Sequence, residues 1–449
     1  MAEDDTEHPP TDTPPTDAFP EDAPPNGTGR PRRRRRWLMI TAGVVAFLLV
    51  ASGVLLWIAY RKLDGNIRTD STTDRLLAKL EAERPSRTVG ARGAENILLI
   101  GSDDRSGSNG SYGGQAGTER SDTTILLHLA ADRKHATAVS VPRDVMVSVP
   151  ACEQPDGTRS KPVLMQFNRA FETGGPACSI RTVEQLSGIR IDHYVILDFS
   201  GFKTIVNAIG GVEVCVPQPI HDKDAKLDLP AGRQTLHGEQ ALGYVRARES
   251  LGDGSDTQRM GRQQQFLAAL IRKVESQGVL LNPTRLWPVL DAATSSVRAD
   301  GGLSSLGALY DLTQDLRGIP SANVVFLTAP RRPYRYDSDR DEFVQPQTGQ
   351  LFTALRDDRP VTVRPPGSAP SSGAGTRAGA GAGSGSSTGA GSGPSAARTT
   401  GANASPGADS GEAAGATTTA AATATASPSA GASPTFEGRT ADVDACAQH

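Results

Sequence analysis

HYVILDFSGFKTIVNAIGGVEVCV, from His193 to Val216, decides the fold class. HYVILDF is a short apolar run and reads as a buried strand. SGFKTIVNAIGG reads as a helix, with Ser200 placed to cap it and Gly210 to stop it. VEVCV returns to a strand. Strand and helix in close alternation are the signature of an α/β protein.

The pattern extends on both sides. ENILLIG (Glu95–Gly101), DTTILLHLA (Asp122–Ala130) and ATAVSV (Ala136–Val141) read as strands, the last two joined by the turn-like ADRKH. No helix separates neighbours in that trio, so the central sheet is mixed rather than all parallel. NRAFETG, CSIRTVEQLSG and HGEQALGYVRAR read as helices. DTQRMGRQQQFLAALIRKVESQG reads as a long one, capped by Ser255 or Asp256 and stopped by Gly278. LSSLGALYDLTQDLRG is amphipathic and NVVFLTAP is a late strand. The expected architecture is an α-β-α sandwich with a mixed central sheet flanked by helices, and no internal repeat.

Composition bounds the domains. Residues 1–36 form a head rich in Pro, Thr, Asp and Glu up to Gly29, which predicts disorder, and ending in Arg32–Arg36. Trp37–Tyr60 contains no charged residue, and a bilayer core needs about 20 apolar residues in helix. Trp37, Trp57 and Tyr60 stand near its ends, where aromatic side chains favour the interface. The arginines precede the span, so the positive-inside rule puts the N-terminus in the cytoplasm and everything after Arg61 outside. A cleaved signal would be shorter and need a small-x-small site, which IAYRKLDG lacks. Residues 61–93, with the amphipathic TTDRLLAKLEAER, are expected as a stalk. Residues 94–360 are the folded domain. Residues 361–449, dominated by Gly, Ala, Ser and Thr, are expected as a flexible tail. The net charge of −3 carries no basic bias toward nucleic acid.

The four cysteines are Cys152, Cys178, Cys215 and Cys446. No CxxC pair and no His cluster accompany them, which argues against zinc. Outside a membrane disulfides are permitted. Cys152 and Cys178 flank one loop-rich stretch and are the first candidate pair. Cys215, in an apolar strand, could be a buried thiol.

Charge collects at strand ends. Asp103, Asp104 and Arg105 follow the first strand, Arg120 and Asp122 open the second, and Arg143 and Asp144 follow the third. Ligands of open α/β sheets bind where loops leave strand ends. A loop Asp is ordinarily a turn residue or cap, so each signal is weak alone. YVRARESLGDGSDTQRMGRQQQ (Tyr244–Gln265) strengthens it. Asp256, Arg259 and Gln263 share one helix face, with Phe266, Leu267 and Leu270 further along. Arg246 and Arg248 form a second arm, Arg262 points off the shared face, and Asp253–Ser255 is the loop expected to move. A bland alternative is an amphipathic helix with i,i+3 ion pairs.

There is no GxxxxGK[ST], no GxGxxG after a strand, no GxSxG elbow and no HExxH, and the seven histidines are scattered. Nucleophilic Ser/His/Asp catalysis has little support. Acids and arginines without a special nucleophile suit phosphoryl transfer, which needs positioning and charge neutralisation. Carboxylates can hold Mg²⁺, and arginines clamp phosphate oxygens.

In their order, ILLIGSDDR, ERSDTTILLHL, AVSVPRDVMVSVP, FNRAFETGGP, GIRIDHYVILDFSGFKTIVNAIGGVEVCVP, and LDLPAGRQTLHGEQALGYVRAR with DTQRMGRQQQFL resemble the LytR-CpsA-Psr family of bacterial cell-wall enzymes. The likeness runs from Asn96 to about Pro360. The Arg-rich, Lys-poor composition suggests an actinobacterium.

The resemblance implies a Mg²⁺-dependent phosphotransferase that moves a glycopolymer from an undecaprenyl-pyrophosphate carrier to peptidoglycan. It implies that Asp103 and Asp122 hold the metal. Arg120, Arg143, Arg246, Arg248 and Arg259 grip the pyrophosphate, and Gln263 lines the site. Asp256 orients or activates the acceptor hydroxyl, or supports the arginines, so Asp256, Arg259 and Arg143 are the catalytic set. The family commonly has Lys where this chain has Gln166, which affects one phosphate contact. The polyprenyl chain would lie between sheet and helices, against the apolar face of the Phe266 helix. Partners are then the lipid-linked polymer, peptidoglycan and the cytoplasmic membrane, without nucleic acid. The alternatives are a polyprenyl-pyrophosphate phosphatase, with water as acceptor, and a non-enzymatic envelope regulator, which an outside domain disfavours.

Overall fold

The structure is a computed structural model that describes residues 31–88, 91–103, 120–154, 156–248, 256–276, 283–366, 368, 434–444 and 446. The expected disordered head to Gly29, the Gly/Ser loop after Asp103 and the Asp253–Ser255 loop lie outside them. The chain divides into two units at Asn66. The first contains α1 (Pro31–Asn66). Its stretch Arg34–Asn66 is long and apolar enough to cross a membrane. At 1.5 Å per residue it exceeds the roughly 30 Å of a hydrocarbon core.

The second unit contains, in chain order, β1 (Arg68–Thr69), α2 (Ser71–Lys79), β2 (Glu95–Ser102), β3 (Ser121–Leu129), β4 (Ala136–Val141), β5 (Met146–Val149), β6 (Val163–Gln166), α3 (Asn168–Ser187), β7 (His193–Leu197), α4 (Phe199–Ala208), β8 (Val212–Val216), β9 (Ile220–Asp222), β10 (Leu227–Leu229), β11 (Gly232–Leu236), α5 (Gly238–Arg246), α6 (Asp256–Ser276), α7 (Pro283–Ser296), β12 (Val297–Ala299), α8 (Leu306–Arg317), β13 (Val324–Thr328), β14 (Arg331–Tyr334), β15 (Asp337–Phe343), α9 (Gln347–Arg356), β16 (Thr362–Arg364) and β17 (Thr435–Thr440).

Nine strands form one sheet in the order β1-β12-β7-β2-β3-β4-β13-β17-β16. It is mixed, as expected: β2 pairs parallel with β7 and antiparallel with β3, and β4 pairs antiparallel with β3 and parallel with β13. Strand alternation sends side chains to opposite faces. Leu98, Ile100, Leu126 and Val139 pack with Phe171 and Ile180 of α3 and Leu351 and Leu355 of α9. Ile97, Ile125 and Ala138 pack with Leu267 and Ala268 of α6 and Leu312 of α8. Helices on both faces of one sheet make the α-β-α sandwich.

Five details differ from the expectation. α4 is capped by Asp198, whose carboxylate accepts the Gly201 N–H at 2.7 Å, not by Ser200. Its strand β8 lies outside the large sheet and pairs with β11. Gly210 and Gly211, at φ 80° and 83°, turn the chain aside, and β8 alternates buried and exposed residues as a one-faced strand does. It packs its valines on Tyr244 and Phe266 in a separate apolar cluster.

The segment read as a stalk belongs to the domain from Ile67 onward. β1 pairs with β12, Leu77 is buried in the core, and Arg84 forms an ion pair with the buried Glu184 at 2.7 Å. An amphipathic helix needs an apolar partner, and α2 finds it on the domain.

Nor are residues 361–449 all tail. β16 and β17 complete the sheet, and Phe436 joins the core. β17 runs close to β13, where a Cβ on Gly438 would stand 2.4 Å from the Phe326 carbonyl, so only glycine fits. Cys215 is not a free thiol. It is bonded to Cys446 across 231 residues, while Cys152 pairs with Cys178 as expected.

Candidate anion-binding site

Register puts the charged residues together. Ser102 lies opposite Ser121 across β2 and β3, and Thr124 opposite Val141 across β3 and β4. Asp103, Arg120, Asp122, Arg143 and Asp144 therefore emerge at one end of the sheet. The Asp103 carboxylate accepts the Arg120 N–H at 2.8 Å, and its own N–H donates to the Arg120 carbonyl at 3.0 Å. Arg246 ends α5, Arg248 follows it, and Arg259 sits in the first turns of α6. These residues line a cavity of about 740 Å³.

Seven arginines and five aspartates line it. That is a formal excess of two positive charges, suited to a dianionic or more highly charged guest. Arg143 is the hub: it donates to Asp122 at 2.7 Å and Asp144 at 3.2 Å, and lies 3.5 Å from Asp256. Burial pulls its pKa down, but the three carboxylates outweigh burial and the net shift is upward. Burial pushes Asp122 up, yet Arg143, Arg259 and Arg248 hold it below the usual aspartate value. Arg259 is 3% exposed and burial pushes its pKa down to about 10, against the pull of Asp256. Burial also lowers Arg248, and neighbouring Arg143 lowers it further. Packing cations this closely is costly without an anion between them, and arginine's planar fork suits phosphate oxygens. The Arg246 guanidinium lies 4.7 Å over the Phe199 ring, a cation–π contact that joins the charged cavity to apolar α4.

Of the residues singled out in the sequence, Asp103, Arg120, Asp122, Arg143, Arg246, Arg248 and Arg259 line this cavity. Asp256 is not on its wall. One of its oxygens pairs with Arg259 and Arg143, so its position is that of a support for arginines. Gln263 is not on the wall either, because its amide donates to Thr123 and to the Val245 carbonyl, both at 3.1 Å. Arg262 turns away and donates to the Ala247 carbonyl.

The cavity also has walls that sequence reasoning missed. Asp222 and Asp224 come from the β9–β10 hairpin and Arg340 from β15. Asp222 accepts the Arg248 N–H at 2.6 Å and so places that arginine. Gln166 donates to Asp144 at 2.7 Å, a neutral amide where a lysine would add a charge. No Ser, Cys or His stands among the described lining residues, and the arginines and aspartates that do can bind and polarise an anion.

Residues 63–356 match the LytR_cpsA_psr family, and the chain belongs to it. It is 34% identical over 291 residues to the probable cell wall biosynthesis protein LcpB of Corynebacterium glutamicum, which covers 62% of this chain and 64% of that protein. The chain thus spans less than two thirds of that relative's length. It is 31% identical over 298 residues to the polyisoprenyl-teichoic acid–peptidoglycan teichoic acid transferase TagT of Bacillus subtilis, covering 65% of this chain and 86% of TagT. The solved structure of TagV from B. subtilis is 28% identical, with a TM-score of 0.47 over 59% of this chain and 96% of that one.

Proposed function

We propose that this chain is a phosphotransferase that moves a glycopolymer from a polyprenyl-pyrophosphate carrier to peptidoglycan during cell-wall assembly. The carrying observation is the arginine-rich cavity at the strand ends, with aspartates but no Ser, Cys or His among its described lining residues. The named activity of TagT, 31% identical, supports the same direction. The acceptor hydroxyl oxygen attacks the glycan-side phosphorus, the bond to the bridging oxygen breaks, and polyprenyl phosphate leaves, taking up the proton that the hydroxyl gives up. Arg143, Arg248 and Arg259 hold the phosphate oxygens on which charge builds, which is the main task in phosphoryl transfer. Arg246, resting on Phe199, would stand where pyrophosphate gives way to the lipid, whose chain would lie along α4 and α6.

Asp103 and Asp122 sit at neighbouring strand ends on the same wall. Two carboxylates, with substrate phosphates and waters completing the shell, fit Mg²⁺. When bound, that ion would neutralise charge on the phosphates. The two disulfides suit an oxidising compartment, which supports placing the domain outside the membrane with Arg32–Arg36 inside.

The test uses the full-length protein in detergent with a polyprenyl-pyrophosphate glycan, Mg²⁺ and a peptidoglycan acceptor. Asp122→Ala and Arg246→Ala should each lower transfer steeply without unfolding the chain. Wild-type turnover in both would refute the site. Release of free glycan phosphate in place of the linked product would identify the hydrolase.

A further inference from the structure

A second cavity, of about 1000 Å³, lies on the other side of α6. Gln258, Gly261, Arg262 and Gln265 of α6 form one wall, and β17 and the β14–β15 hairpin close it. It shares no lining residue with the first cavity. Five arginines line it, Arg262, Arg331, Arg332, Arg364 and Arg439, against two acids, Asp341 and Glu437. Asp341 is paired with Arg331, and Glu437 lies 3.7 Å from Arg364.

Arg262 and Arg439 have no carboxylate within ion-pair distance among the described residues. Arg262 is 7% exposed, and the Nε atoms of both are enclosed without a hydrogen-bond partner. The buried Tyr244 borders the same cavity, and both guanidinium groups lie close enough to act on its hydroxyl. Burial pushes both arginines below their usual pKa, and no paired carboxylate restores it: Tyr244 offsets part of the shift for both, and Asp222 part for Arg262. A protein ordinarily pairs a buried charge, because removing it from water unpaired is unfavourable. Two such cations facing one cavity have room for an external counter-ion.

We propose that this cavity is a second oxyanion subsite, in which Arg262 and Arg439 receive a carboxylate or phosphate group carried by one of the two glycan substrates. The identity of those substrates rests on the function proposed above; the presence of an anion site does not. The two sites stand back to back across α6, so one ligand could be held beside the reaction centre while the pyrophosphate occupies it.

The test is radiolabelled inorganic phosphate binding to the full-length protein in detergent. The wild type should hold two phosphates, and Arg439→Gln and Arg262→Gln one each. Arg246→Gln should lose the other. Unchanged binding in both Arg439→Gln and Arg262→Gln would overturn the subsite. Unchanged binding in Arg246→Gln alone would count against the first site instead. In phosphate-free buffer Arg439→Gln should melt no lower than wild type and should lose the phosphate-induced rise in Tm. A purely structural arginine would instead lower Tm in both buffers. In the transfer assay Arg439→Gln should raise KM roughly tenfold or more, as loss of a charged contact does. A rise confined to the donor assigns the oxyanion to the glycopolymer, and one confined to the acceptor assigns it to peptidoglycan. If neither KM moves, the ligand assignment fails.

Discussion

The two cavities on either side of α6 handle charge in opposite ways. In the first, Arg143 and Arg259 each have an aspartate within ion-pair reach, and Arg143 alone contacts three. In the second, Arg262 and Arg439 lie in the wall with only carbonyl or aromatic company. Matched charge gives rigid placement, since the Arg143 and Arg259 guanidinium groups are pinned by carboxylates. Unmatched charge gives binding potential at the expense of stability. The first arrangement fits chemistry that needs positioning, and the second fits capture.

The largest effect should come from breaking the matched side. Asp122→Ala or Arg246→Ala should lower transfer by about 10²–10³-fold, as removal of one preorganised charge contact does. Far-UV circular dichroism should stay at wild type. Cys446→Ser should act on the other side. The bond spans 231 residues, and its loss should cost about 2–5 kcal/mol in a denaturant titration. β17 carries Arg439, so phosphate binding at the second cavity should weaken while hydrolysis of a polyprenyl pyrophosphate changes less. Equal losses at both would show that the cavities are not independent.

A pH series sharpens the contrast further. The Asp122 pKa is lowered in the folded state. Its contribution to stability is therefore complete above the unfolded value and is lost as pH falls through the lower folded one. Asp122→Asn should flatten that acid limb, whereas Arg439→Gln should leave it intact. The smallest effect is expected from Gln166→Lys. It adds a charge beside Asp144 and should tighten donor binding by at most about fivefold, the range of a partly exposed ion pair. Donor KM measured at fixed ionic strength checks it.

Much of the matched cavity was legible in the chain. Asp103, Asp122 and Arg143 adjoin apolar runs, and strand ends of one sheet must meet once register is set. Gln263 shows the limit. Helical phase put it beside Arg259, but a side chain's partner depends on what packs opposite, and Thr123 and Val245 claimed its amide. Asp222, Asp224 and Arg340 come from hairpins so dense in mixed charge (HDKDAKLD and RYDSDRDE) that nothing in the sequence singles them out. β17 was hidden because TFEGRT is short and follows a long low-complexity run.

By itself, the sequence determined the α/β class, the apolar span and the acid–arginine chemistry. Each follows from local period or composition, which act over a few residues at a time. Tertiary structure alone decided that β8 leaves the main sheet, that Cys446 returns to Cys215, and that α6 divides two cavities. Those outcomes depend on which distant surfaces bury each other, and burial is a property of the packed chain rather than of any segment in it.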